Sequence, residues 1–326
     1  MSDSSGALPC VHVLLASYQG ARYIGEQLES IARQTHAHWT LTVSDDGSTD
    51  DTVQLCEAFA RAHGDHRIRL IKGPGRRSTA NFFHLLRTVE PASSQDLIAF
   101  SDQDDVWLPE KLSRAVAALR SLRLAAGQPA LYAARTRLVN ERLEPIGISR
   151  LPQRPLGFGN ALLQNVASGN TMVFNQPLLR LLRRVKPEHS VLHDWTAYQV
   201  VTGCGGQMHF DPEPCLLYRQ HADNLIGSQG RSWDKVLRMG MLFRGQYRAW
   251  GDQTEAAMND IAHELQPKAQ DLLRKFQDMR RRPDLIGRMQ AGRHSGLWRQ
   301  TRSGRASFWL GLALNPDVAP SAMFLP

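Results

Sequence analysis

Cysteine is scarce and unpatterned. Four residues, Cys10, Cys56, Cys204 and Cys215, are scattered over 326 positions with no CxxC pair and no histidine at ligand spacing. That argues against a disulfide framework or a zinc module and leaves buried free thiols as the expectation. Long apolar runs are missing too. The longest near the end, Phe308 to Leu314, falls well short of the roughly 18–20 residues needed to cross a bilayer, so any membrane contact is expected to be peripheral. The opening MSDSSGALP has neither the basic start nor the apolar centre of a secretory signal, and the expected location is the cytoplasm. No GK[ST] phosphate loop occurs. The segment GPGRRS has only the first two glycines of a dinucleotide fingerprint, which disfavours P-loop and Rossmann enzymes.

Charge is plentiful but lopsided. The formal net charge is +8, yet residues 1–230 carry 23 basic and 22 acidic side chains, whereas residues 231–326 carry 16 and 9. A neutral body with a basic tail suits an anionic surface, either a membrane or a nucleic acid. Nucleic acid calls for aromatic platforms along a basic groove. Here Trp298, Phe308 and Trp309 lie among leucines, so no nucleic-acid partner is expected. Arg280, Arg281, Arg282, Arg288, Arg293, Arg299, Arg302 and Arg305 interleave with those apolar residues. The mix fits an interfacial element on the inner membrane and equally a helical appendage that packs its apolar side on the main body.

Forty-two per cent apolar residues suffice for a real core. The runs VHVLLAS (Val11–Ser17), WTLTVS (Trp39–Ser44), IRLIK (Ile68–Lys72) and LIAFS (Leu97–Ser101) read as strands. Between them Ile24, Leu28 and Ile31, then Cys56 and Phe59, then Phe83 and Leu86 recur at helical spacing. Such alternation predicts right-handed crossovers and an α/β fold with an open, mostly parallel sheet flanked by helices. A helix after Pro109 and a strand at Ala130–Val139 follow, and then the alternation becomes irregular, with short strands expected at Asn170–Phe174 and Cys215–Tyr218 and a helix at Asp194–Val201. From Arg231 helical spacing dominates, with breaks at Gln266–Pro267 and Arg282–Pro283.

Ligands of open α/β sheets bind beyond the carboxyl ends of the strands. Those ends are acidic here: Asp45–Asp46 after the second strand and Asp102-Gln103-Asp104-Asp105 after the fourth. Such a cluster repels itself unless a cation neutralises it, and a hard divalent ion that completes its shell with phosphate oxygens points to a nucleotide-diphosphate substrate. Taken alone, Asp45–Ser48 equally suits a turn and helix cap.

The runs LLASYQGARYIGEQLESIARQT, VSDDGSTDDT and FSDQDDVWLPEKL, followed by ASGNTMVFN, HDWTAYQVV and YRQHADNLIG, resemble glycosyltransferase family 2, and most resemble its bacterial rhamnosyltransferase-like branch. The resemblance spans roughly residues 10–228. It implies a GT-A fold (the nucleotide-diphospho-sugar transferase fold) over 10–229, after a disordered tail at 1–9 and before a basic helical extension at 230–326. It also implies inverting transfer of a sugar from a nucleotide-sugar donor, dTDP-L-rhamnose among the candidates, to a saccharide or lipid-linked saccharide acceptor of a growing surface polysaccharide. Carried over by position, Ala16, Ser17, Tyr18 and Asp45 surround the nucleobase, Glu26 supports the nucleotide edge, and Asp102 sits near ribose and metal. Asp104, the second acid of the DxD-like DQD, becomes the principal ligand of Mg²⁺ or Mn²⁺, with His221 a further ligand or phosphate contact. Asp194 is the general base, and His193 and Trp195 shape the acceptor site. A lone histidine after a strand, a helix-capping aspartate and a core tryptophan are the plain structural alternatives for His221, Asp194 and Trp195. A non-catalytic sugar-binding module on the same fold is the rival function, disfavoured because Asp104 and Asp194 both stand at their motif positions.

Overall fold

The computed structural model describes residues 8–64, 67–221, 246–302, 304–306 and 308–309. The expected tail at 1–9 thus lies largely outside the described residues, as do Leu310, Leu312 and Leu314. The chain runs β1 (Val11–Ser17), α1 (Ile24–Ala32), β2 (Trp39–Asp45), α2 (Thr52–His63), β3 (Ile68–Lys72), α3 (Arg77–Thr88), β4 (Leu97–Ser101), β5 (Val106–Trp107) and α4 (Lys111–Ser121). It continues through β6 (Ala130–Val139), β7 (Pro145–Ile148), α5 (Phe158–Ala161), a 3-10 turn at Gly169–Thr171, β8 (Val173–Asn175), α6 (Gln176–Leu182), α7 (His193–Gly203) and β9 (Gln207–Arg219). The helices α8 (Gln246–Asp260), α9 (Pro267–Arg281) and α10 (Leu285–His294) follow.

One nine-stranded sheet organises these elements in the order β3-β2-β1-β4-β8-β6-β9-β5, with β7 paired to β6. Strands β1 to β4 are parallel, as the alternating pattern predicts. Beyond β4 the sheet is mixed: β8 runs antiparallel to β4 and β6, β5 antiparallel to β9, and only β6 and β9 are parallel. The irregular alternation after Pro109 is the sequence correlate of that change, since antiparallel neighbours need no crossover helix. Two strands differ from their expected bounds. Residues Gly169–Thr171 form the 3-10 turn, so β8 starts at Val173. The Cys215–Tyr218 run is the end of a 13-residue strand whose earlier part holds Pro212 and Pro214, tolerated because the register with β6 shifts between Ala134 and Arg135.

Both sheet faces are buried, which is why β1 and β4 are apolar almost throughout. Val11, Val13 and Leu15 join α1, α2 and α4 in one core cluster, with Cys56 and Cys215. Leu14 points the other way, into a cluster formed by α3, α5, α6 and α7 with Cys204. Ala257, Met258, Ile261, Leu265, Ala269, Leu273, Phe276 and Met279 from α8, α9 and their connection belong to that second cluster. The C-terminal helices therefore close one face of the sheet. Pro267 opens α9 and Arg281 closes it, as the two proline breaks predict. All four cysteines are free thiols, three buried and Cys10 partly so. Among the described residues no helix is long and apolar enough to cross a membrane.

Candidate active site

The carboxyl edge of the parallel half gathers the loops after β1, β2, β3 and β4. In the first two, Ser17 Oγ donates to Asp45 Oδ1 at 3.0 Å, and the same carboxylate accepts from Gly47 N, Ser48 N and Ser48 Oγ at 3.1, 2.8 and 2.6 Å. The turn reading of Asp45–Ser48 is thus what the geometry contains, and it builds the wall beside half-buried Ala16. Tyr18 stands 57 % exposed with its ring open to solvent. Its backbone is held by Gln103, whose Oε1 accepts from Tyr18 N at 2.8 Å and whose Nε2 donates to Tyr18 O at 3.0 Å. The middle residue of the DQD run therefore ties the loop after β4 to the loop after β1.

Asp46 does the same for the GPGRRS loop: its two oxygens accept from Gly75 N at 2.7 Å and Arg77 N at 2.9 Å. Asp46 thus takes up the first amide of α3, that of Arg77, together with that of Gly75 in the loop before it.

The acids after β4 have divided tasks. Asp105 is fully buried and accepts from Asn170 Nδ2 at 2.5 Å; Lys111, also fully buried, donates from Nζ to Asn170 O at 2.6 Å and lies 3.0 Å from the Trp107 ring centroid. Asp105 is thus an internal anchor. Desolvation drives its carboxyl well above the usual range and drives the Lys111 ammonium down to about 7. Asp102 is pushed up to about 7, first by burial and then by the charges of Asp104 and Asp194, with Lys111 opposing.

Asp104 Oδ2 lies 2.7 Å from His221 Nε2. Arg219, among the most buried side chains of the molecule, holds this pair from below: Nε donates to Asp104 O at 3.0 Å, Nη1 to Glu141 O at 2.6 Å, and Nη2 bonds Glu26. Its guanidinium lies 4.5 Å from the Tyr23 ring centroid, and the same ring sits 5.1 Å from that of His221. Glu26 is therefore engaged with Arg219, the same side chain that holds Asp104 O.

Asp194 occupies the first turn of α7, where its carboxylate accepts from Trp195 N at 2.6 Å and from Gly169 N at 3.0 Å. Burial raises it to about 6, while those amides and the Asn165 side chain pull it back. Asp194 and the acids after β4 come together at the 3-10 turn, where Asp194 accepts from Gly169 N and Asp105 from Asn170 Nδ2, and the charge of Asp194 adds to the rise of Asp102. Burial and then the charges of Asp105, Asp102, Asp104 and Asp194 raise the phenol of Tyr218. The 3-10 turn joins the two sides, with Gly169 held by Asp194 and Asn170 by Asp105. Only glycine fits at 169, where a Cβ would lie 2.7 Å from His193 Nε2 and 3.0 Å from Asp194 Cβ.

The neighbours of Asp194 are packed away. His193 stacks on Phe82 with centroids 3.7 Å apart and meets Phe100 edge-on at 4.8 Å; burial lowers its imidazole to about 3, so it is neutral. Trp195 is 8 % exposed, donates from Nε1 to Ala161 O at 2.6 Å and meets Trp250 edge-on at 5.8 Å, which leaves little ring face for a sugar. Gln103, Lys111, Asn170, Tyr218 and Arg219 are absent from the residues singled out by sequence. The available signals were their places inside the DQDD, PEKL, SGNT and YRQH runs.

Among the described residues no three His, Cys, Asp or Glu side chains stand preassembled around a cation. The donor set still fits one. Asp104 and His221 are paired, and the charges of Asp104 and Asp194 help to raise Asp102, a repulsion that a divalent ion would relieve.

A parallel β3-β2-β1-β4 half ending in acids, continued by a mixed half that carries a facing aspartate, is the GT-A architecture of nucleotide-diphospho-sugar transferases. The family model for glycosyl transferase family 2 matches residues 12–184, and the chain belongs to that family and is a glycosyltransferase. The chain is 27 % identical over 252 residues to the dTDP-rhamnosyl transferase RfbG of Shigella flexneri, covering 72 % of this chain and 81 % of that protein. It is 35 % identical over 116 residues to the putative glycosyltransferase EpsE of Bacillus subtilis, 35 % of this chain and 40 % of the relative. Among solved structures, Staphylococcus aureus TarS 1–349 with UDP-GlcNAc superposes with a TM-score of 0.52 at 15 % identity, covering 88 % and 90 % of the two chains. The mannosyltransferase PcManGT of Pyrobaculum calidifontis with GDP-Man and Mn²⁺ gives 0.52 at 16 % identity over 95 % and 85 %. These two likenesses are likenesses of fold.

Proposed function

We propose that the protein is an inverting glycosyltransferase that moves a sugar from a nucleotide-sugar donor to a growing bacterial surface polysaccharide, with dTDP-L-rhamnose the leading donor. The observation that carries this reading is that Asp104, paired with His221, belongs to the same acidic loop as Asp105, and that Asp105 and Asp194 both hold the 3-10 turn at Gly169–Asn170. The name of RfbG supports the choice of donor. The name of an Escherichia coli relative, a glucosyltransferase acting on a diphosphoundecaprenol-linked sugar and 32 % identical over 102 residues, supports a lipid-linked acceptor.

In this reading the nucleobase lies between the open Tyr18 ring and the wall of Ala16, Ser17 and Asp45. Asp104 and His221, together with Asp102, would hold Mg²⁺ or Mn²⁺, and the ion would supply stabilisation of negative charge on the diphosphate. Asp194 accepts the proton of the acceptor hydroxyl as that oxygen bonds the anomeric carbon from the face opposite the breaking bond to phosphate. The nucleoside diphosphate leaves with the electron pair. Arg219 keeps the backbone of Asp104 in place, and Gly169 N keeps one oxygen of Asp194 directed.

Calorimetry with dTDP-L-rhamnose, UDP-glucose, UDP-galactose, UDP-N-acetylglucosamine and GDP-mannose, with and without Mn²⁺, tests the proposal. Binding of one donor only with metal is the expected result. Absence of binding by every donor under both conditions overturns it.

A further inference from the structure

The turn that follows β6 leaves the body of the protein beside the candidate metal acid. Arg219, bonded to Asp104 O, also bonds Glu141 O in that turn, and Arg22 pairs with the Glu141 carboxylate at 2.8 Å. The chain then returns as β7, which among the described residues pairs only with β6 and lies at the sheet's edge. All four residues of β7 are exposed. Ile146 is 55 % exposed, Ile148 48 %, and Leu151 just beyond 45 %. Ile146 and Ile148 share one face of the strand, because side chains alternate along it. An edge strand that displays isoleucines to water is a liability unless something covers it.

The surrounding charge says what covers it. Arg137, opposite Ile148 in the register, and Arg142 and Arg150 are all exposed and have no ion-pair partner among the described residues. Of the two acids of the turn, Glu141 is paired with Arg22, and Glu144, which accepts from the neutral Asn140 Nδ2 at 2.7 Å, sets one carboxylate against these three guanidiniums. The hairpin thus presents aliphatic side chains ringed by unneutralised guanidiniums. That is the chemistry of a surface whose apolar residues enter the acyl boundary while its arginines meet anionic headgroups.

By contrast, the basic tail that the sequence offers for this role uses several of its arginines internally. Arg280 pairs with Asp252 and Glu255, Arg281 with Glu255, Arg282 with Asp278, and Arg299 donates to Leu163 O. From this we infer that the β6–β7 hairpin is a membrane-docking surface, seated on an anionic bilayer. The contact itself is independent of the reaction assigned above; its use, delivering a lipid-borne acceptor to a cleft one turn away, rests on that assignment.

The test is flotation of the full chain with vesicles of phosphatidylethanolamine and phosphatidylglycerol, and with phosphatidylcholine vesicles as the neutral control. The native protein should float with the anionic vesicles at low salt. The double variant Ile146→Ser/Ile148→Ser and the double variant Arg142→Glu/Arg150→Glu should each reduce the bound fraction about tenfold, the second mainly on anionic vesicles. All four positions are exposed, so melting temperatures should stay at the native value. Equal flotation of native protein and both variants overturns the inference, as does a native protein that does not float. So does a native dimer that the isoleucine variant converts to monomer without vesicles, since the face is then covered by a second copy. Metal-dependent donor binding measured on the same variants should be unchanged, which separates failure of the docking surface from failure of the enzymatic reading.

Discussion

At Asp194 two opposing influences set a useful balance: removal from water favours the neutral acid, while the amides of Gly169 and Trp195 favour the anion. The result, about 6, suits the role of base proposed for it: a carboxyl mostly ionised at neutral pH yet still basic enough to take a proton. Transfer should therefore fall about tenfold per pH unit below 6 and level off above it, measured as release of nucleoside diphosphate at saturating donor. The stability counterpart has the opposite sign. The folded carboxyl titrates above its unfolded value of about 3.9, so the folded state holds the extra proton between those values and the melting temperature should fall as pH rises through that window. Asp194→Asn should lessen this slope, to which the raised carboxyls of Asp102 and Asp105 also contribute, and lower transfer by roughly 10²–10⁴-fold while metal-dependent donor binding persists. Retention of substantial transfer would remove Asp194 from the mechanism.

The 3-10 turn at Gly169–Thr171 is the element that relates the two sides of the cleft. Asn170→Ala takes from Asp105 its amide donor and should cost about 1–3 kcal/mol in a denaturant titration. Gly169→Ala acts differently, because the new methyl would overlap the imidazole of His193 and crowd Asp194 itself. Its expected signature is a fall in transfer rate larger than the fall in donor affinity, read by comparing kinetics with calorimetry.

How far such elements can be read from sequence depends on their length and on the reach of their contacts. Strands β1 to β4 are apolar runs of five to seven residues that stop at polar ends, and their parallel order follows from the intervening helices. Strands β5 and β7, with two and four residues, are too short to show a period. Asp45, Asp104 and Asp194 stand out because their motifs are local. Lys111 and Arg219 do not, since their partners lie 59 and 115 residues away and nothing near them in sequence announces the pairing.

On the scale of the whole molecule, the sequence suggests a boundary near residue 229, after which charge and periodicity change. In space the helices beyond it share the core of one sheet face. Their six large buried apolar side chains, Met258, Ile261, Leu265, Leu273, Phe276 and Met279, at about 1.5–3 kcal/mol each, represent burial comparable to the entire net stability of a domain, about 5–15 kcal/mol. A chain ending at 229 should therefore lose its cooperative thermal transition by circular dichroism. The full chain should retain it.

The distribution of thiols has a practical consequence. Burial pushes Cys56 and Cys204 up to about 12 and Cys215 to about 11, so none is a reactive thiolate in the closed protein. Cys56 and Cys215 lie beneath one face of the sheet and Cys204 beneath the other. Their alkylation rates therefore record how often each layer opens to solvent. The molecule carries its own pair of clocks, one on each side of the sheet, and adding a nucleotide sugar would show which of them slows.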